Sequence, residues 1–148
     1  MRMVCLLLAL WISSAQCRSA DVVLNLQKYN NTVVISVINL SKRSVKISRL
    51  FTENPGYGLV EFFIYVDGRR SGPLIPPNEP LPISSDYIEL SPFDVVGRVF
   101  SIPYIRKEYR VGNSCFNLTV EYHDIMAQKF GAYSETVKSN EIYICDQR

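Results

Sequence analysis

From Asp21 onward, apolar residues recur at every second position in short runs cut by turn residues, and no stretch holds a helical period for more than a turn or two. That pattern commits the chain to strands with one buried face each. The runs span residues 22–27, 32–40, 44–50, 60–66, 86–90, 95–102, 115–122 and 141–145. Between them, segments such as "YNN", "SKR" and "DGRRSG" supply the Asn, Gly, Ser and charged residues that turns favour. Eight such strands predict an all-β fold, an immunoglobulin-like antiparallel β-sandwich of about seven or eight strands. The exception is "PYIRKEY", residues 103–109, where Pro103 predicts the start of one short helical turn.

Strand parity assigns the inner faces. Val60, Phe62, Ile64 and Val66 share one side of their strand, as do Phe116, Leu118, Val120 and Tyr122 of the seventh and Ile142 and Ile144 of the eighth. If Cys115 stands opposite Cys145 in an antiparallel pair, Phe116 meets Ile144 and Leu118 meets Ile142, so core pairing and a Cys115–Cys145 disulfide are mutually consistent. The same register centres the connection near Phe130-Gly131. Residues 123–138 make a long hairpin loop, and extension of both strands toward Gly131 is expected to pack them down.

The first residues predict export. Arg2 precedes "VCLLLALWI", an apolar run short for a bilayer span, and small residues follow in "SSAQC". A signal peptide over residues 1–17, cleaved after Ala15 or Cys17, then leaves one domain over residues 18–148. A secreted or periplasmic location brings an oxidising compartment, which favours the disulfide, and no transmembrane segment is expected in the mature chain. Lipidation at Cys17 is disfavoured, because Gln16 stands where bacterial lipoprotein signals carry a small residue.

Charge and motifs exclude several function classes. With a formal net charge of +2 and basic residues only in isolated pairs such as Lys42-Arg43 and Arg69-Arg70, no stripe exists to follow a nucleic-acid backbone. His123 is the single histidine and no C-x-x-C occurs, so neither a metal nor another cofactor is expected. His123-Asp124 resembles a base and its orienter, but no G-x-S-x-G accompanies any serine, and a surface histidine is the favoured reading. The carboxylate pairs Asp86 with Glu89 and Glu121 with Asp124 carry no further sign of acid–base work.

Three glycosylation acceptors occur, at Asn30, Asn39 and Asn117. The segment "GPLIPPNEPLP" withholds ladder donors and stiffens the chain, which suits a connector between sheets or a pre-ordered recognition loop. Candidate contact residues are therefore Arg69, Arg70, Leu74 and Ile75 in the loop over residues 67–86, and Phe130 and Tyr133 in that over residues 123–138.

Three stretches, "VVISVINLSKRSVKI", "FFIYVDGRRSGPL" and "DYIELSPFDVVGRVFSIPYIRKEYRV", are similar to the N-terminal, propeptide-like β-sandwich of deuterolysin-type metallopeptidases, over roughly 90 residues from Val33 to Tyr122. The H-E-x-x-H zinc motif of those peptidases does not occur here, so the chain resembles the noncatalytic domain standing alone and no catalytic residue carries over. The resemblance implies a secreted module that binds a protein, with a peptidase as the partner it accompanies or restrains. A structural or cell-envelope role is the rival expectation, and an enzyme ranks third.

Overall fold

A computed structural model describes residues 21–51, 59–73 and 81–145. The expected leader, Cys17, Leu74 and Ile75 lie outside the described residues. All eight predicted strands form, with ends shifted by up to two residues, and two short ones join them. In chain order the strands are β1 (Val22–Tyr29), β2 (Thr32–Asn39), β3 (Val45–Ser48), β4 (Val60–Val66), β5 (Arg69–Ser71), β6 (Tyr87–Leu90), β7 (Val95–Ser101), β8 (Phe116–Tyr122), β9 (Val137–Lys138) and β10 (Ile142–Ile144). Helices α1 (Ile102–Glu108) and α2 (Ala127–Phe130) interrupt them.

Pairing is antiparallel throughout. One sheet has the order β1-β2-β7, a second β10-β8-β4-β5 with β9 added beside β8, and β3 and β6 form a separate ribbon. Parity decides what is buried. Leu24 and Leu26 of β1, Val33, Ile35 and Val37 of β2, Phe62 and Ile64 of β4, and Phe116, Leu118 and Val120 of β8 join one core. Each is at most 2 % exposed, which stabilises the fold by about 1.5–3 kcal/mol per large side chain.

Helix α1 lies at the end of β2 that carries the Asn30-Asn31 turn, where Ile102 N–H donates to the Asn31 carbonyl. It is longer than the single turn expected, because both ends are capped. The Ser101 hydroxyl accepts from Tyr104 N–H, and Pro103 fits the first turn, where its missing donor costs nothing. At the other end Arg110 takes a left-handed φ of 54°, Arg110 N–H bonds Lys107 and Val111 N–H bonds Arg106, the paired pattern of a Schellman stop. The buried face inserts Ile105 and Tyr109 into the core, and Tyr109 stacks on Phe62 with ring centroids 5.9 Å apart.

The predicted register between β8 and β10 is present: Ile144 opposes Phe116, Ile142 opposes Leu118, and Cys115 is joined to Cys145 with Cα atoms 4.3 Å apart. Closing that loop contributes about 3–4 kcal/mol through the unfolded chain. Beyond it the expectation needs correcting. Residues 123–138 do not simply extend two strands to Gly131. The pairing slips by one residue, so that Glu121 opposes Lys138, and the connection then folds into α2. Asp124 explains the change: its carboxylate accepts from Met126 N–H and its carbonyl from Ala127 N–H, which starts a helical turn that Gly131 ends at φ 61°.

Candidate binding surfaces

The Asp67-Gly68 turn has positive φ at both residues, 48° and 76°, the conformation a two-residue hairpin needs. It folds Arg69–Ser71 back onto β4 as an edge strand, where a turn leading into a loop was expected. Alternation then separates the two arginines. Arg70 lies on the outer face, 2.7 Å from the Glu61 carboxylate and 4.4 Å above the Phe63 ring. Arg69 lines a cleft of about 580 Å³ between the hairpin and the segment after α1, together with Arg70, Asp67, Ser71, Arg110 and Val111. The Ser71 hydroxyl donates to the Tyr109 carbonyl and joins the two walls.

The opposite end of β2 presents a second surface. Ser91-Pro92-Phe93-Asp94 is a turn closed by Asp94 N–H to the Ser91 carbonyl at 3.0 Å, with the Asp94 carboxylate accepting from Ser91 N–H at 2.8 Å. Proline suits its second position, and the third demands the left-handed conformation that glycine takes most easily. Phe93 occupies that third position with φ 69° and is 74 % exposed. Its N–H donates to the Asn39 carbonyl at 2.7 Å, which sets it beside Leu40. Leu40 is 47 % and Val95 57 % exposed. A groove of about 600 Å³ runs beside Leu40, between Asp21 and residues 41–45.

Asn39 organises this corner. It is fully buried, and its amide nitrogen donates to the carbonyls of Arg43 at 2.8 Å, Leu90 at 2.9 Å and Ser91 at 3.2 Å, while its oxygen accepts from the Ser41 amide and hydroxyl. A glycan on that nitrogen is incompatible with this packing, so the acceptor motif at Asn39 is a structural clamp in the folded protein. Asn30 is exposed in its turn, and Asn117 lies half-buried between Tyr65 and Tyr143 on the outward face of β8.

The remaining candidate residues are largely packed down. Phe130 sits against Tyr87 with ring centroids 4.7 Å apart, and Tyr133 is half-buried, its N–H donating to the Lys46 carbonyl. Exposed His123 pairs through Nδ1 with the Thr136 hydroxyl at 2.9 Å. Asp124, Tyr87 and Tyr122 form a buried polar cluster. Burial first, and the Asp124 carboxylate second, push the Tyr122 phenol far above its ordinary pKa, and the same order of causes raises Tyr87.

Phe93 and Arg110 were missed as site residues. "SPFD" carries a turn signature in its proline and aspartate, but nothing in it says that the aromatic ring is left outside the core. Among the described residues, no helix is long and apolar enough to cross a membrane. No protein-family model and no curated protein matches the chain.

Proposed function

We propose that this chain is an exported, noncatalytic β module, immunoglobulin-like in architecture, that binds another protein through the corner carrying Leu40, Phe93 and Val95. The observation behind this is Phe93. A large aromatic side chain held in water on left-handed backbone bears two costs, an exposed apolar ring and about 1–2 kcal/mol of backbone strain, and while the turn's hydrogen bonds help to offset the second, the ring itself stays exposed. An aromatic anchor that enters a partner's pocket accounts for both, because such residues dominate interface energetics. The groove beside Leu40 offers the partner a complementary depression. A noncatalytic role is supported by the engagement of His123 with Thr136 and of Asp124 with the start of α2. The antiparallel sheets sharing one core support the immunoglobulin-like reading, and the disulfide suits an oxidising compartment.

The similarity to the β-sandwich of deuterolysin-type peptidases makes a secreted peptidase the first partner to test. A photo-crosslinking residue at position 93 should trap that partner, whereas one at Tyr29, equally exposed at the other end of β2, should not. Phe93→Gly should raise stability by about 1 kcal/mol while abolishing the adduct-forming complex. Equal trapping from both positions, or an undiminished complex in Phe93→Gly, sinks the assignment.

A further inference from the structure

At the far end of β2 from Phe93, Arg69 and Arg110 line one cleft, and neither is ion-paired among the described residues. Two guanidinium groups sharing a cleft repel each other. Asp67 beside them is ion-paired to neither, and Arg70, which also lines the cleft, is already paired with Glu61 and lies over Phe63. Arg110 also stands at the left-handed residue of the α1 stop, with φ 54°, where glycine is the usual occupant. The fold therefore gathers three arginines here against one lining carboxylate, Asp67, which among the described residues is ion-paired to none of them, and it sets Arg110 where the backbone disfavours a long side chain.

We propose that this cleft docks an acidic peptide segment, with a carboxylate of the segment held between Arg69 and Arg110. The guanidinium fork matches a carboxylate in plane and spacing. Two features favour a peptide over a sulfated polysaccharide or free phosphate. The Asp67 carboxylate on the rim repels a dense polyanion but accepts a hydrogen bond from a peptide N–H. Among the described residues, strand β5 is paired on one side only, to β4. Val66 and Arg69 close the two-residue hairpin, so Arg70 turns its main-chain N–H and carbonyl outward, where a peptide main chain can pair with both.

The test uses the 15N-labelled chain with three probes: an N-acetylated glycine-serine hexapeptide amide carrying a single glutamate, a sulfated heparin hexasaccharide and inorganic phosphate. The peptide should move the amide resonances of Arg69–Ser71 and Arg110–Ser114, with an affinity that falls as salt is raised. Arg69→Gln and Arg110→Gly should each weaken it about tenfold or more. Arg110→Gly places glycine on left-handed backbone, so its loss of binding is not a loss of fold. Shifts confined to other residues, unaltered affinity in both arginine variants, or sulfated sugar or phosphate binding as tightly as the peptide would overturn the proposal. The two surfaces are independent, so failure of this site leaves the reading of Phe93 standing, and the reverse holds.

Discussion

The side-chain amide of Asn140 hydrogen-bonds both main-chain groups of Leu26: Leu26 N–H donates to Oδ1 at 2.8 Å, and Nδ2 donates to the Leu26 carbonyl at 3.0 Å. Asn140 thus stands in for a peptide unit of a neighbouring strand, and it stitches the edge of β1 to the β9–β10 connection of the other sheet. Asn140→Ala should leave two main-chain groups of a buried residue without partners and cost about 1–3 kcal/mol. Asn140→Asp should keep the acceptor but lose the donor and oppose the Leu26 carbonyl. Urea unfolding of both variants checks this, and Asn140→Asp as stable as the parent would show that the Leu26 carbonyl does not need its partner.

Asn39 makes the corner under Phe93 rigid, because one amide group holds residues of the β2–β3 loop and of the β6–β7 turn together. Removing it strands several buried main-chain groups at once. Asn39→Ala should therefore destabilise the fold by about 3 kcal/mol or more, well beyond an ordinary surface change. Amide exchange should report the loss first at Ser41, Phe93 and Asp94. A uniform loss of protection across β4 and β8, with those three amides unchanged relative to the rest, would argue against a local clamp.

The inner-face parity of β4 and β8 was legible because a period of two is a local property, and the Cys115–Cys145 pair followed from it. β5 was not legible in that way. Arg69–Ser71 has no apolar alternation, and its pairing comes from the backbone angles of Asp67 and Gly68. Asn39 was visible as a glycosylation acceptor but not as a buried clamp, since its partners at Leu90 and Ser91 are some fifty positions away in the chain. α2 was missed for a related reason: strand parity continues past Tyr122 on paper, whereas Asp124 captures two backbone donors and turns the chain. Both proposed surfaces depend on residues whose exposure, and not whose type, makes them unusual.

Gly97 sits in β7 opposite Ser36, and a β-carbon built on it would fall inside contact distance of the Ile35 carbonyl oxygen. The obstacle is backbone at the centre of a sheet, so no side-chain rotation relieves it. Gly97→Ala should push β7 away from β2 and cost about 2–4 kcal/mol, a large penalty for one methyl group. A thermal midpoint within a degree or two of the parent would mean that β7 moves freely, and the register between these strands would then need revision.

Tyr122 gives the protein a limit on the alkaline side. Its phenol is fully buried beside Asp124, and burial followed by that carboxylate holds its pKa far above the ordinary value. Tyr87 is raised for the same reasons, and burial followed by the Glu135 carboxylate pushes Tyr133 up to about 12. Tyrosines in the unfolded chain ionise near pH 10. Above that pH the unfolded state sheds protons that the folded state keeps. The stabilisation is therefore fully present below about pH 10 and is lost as pH rises through about 12 and beyond. Tyr122 alone should steepen the decline by about 1.4 kcal/mol per pH unit in that window. Tyr122→Phe removes a buried hydroxyl that faces the Ser48 backbone, so it should lower stability at neutral pH by no more than about 1.5 kcal/mol. Urea midpoints taken from about pH 8 to about pH 11.5 should then fall less steeply for the variant than for the parent. Identical slopes would show that the Tyr122 hydroxyl reaches solvent, which its complete burial forbids.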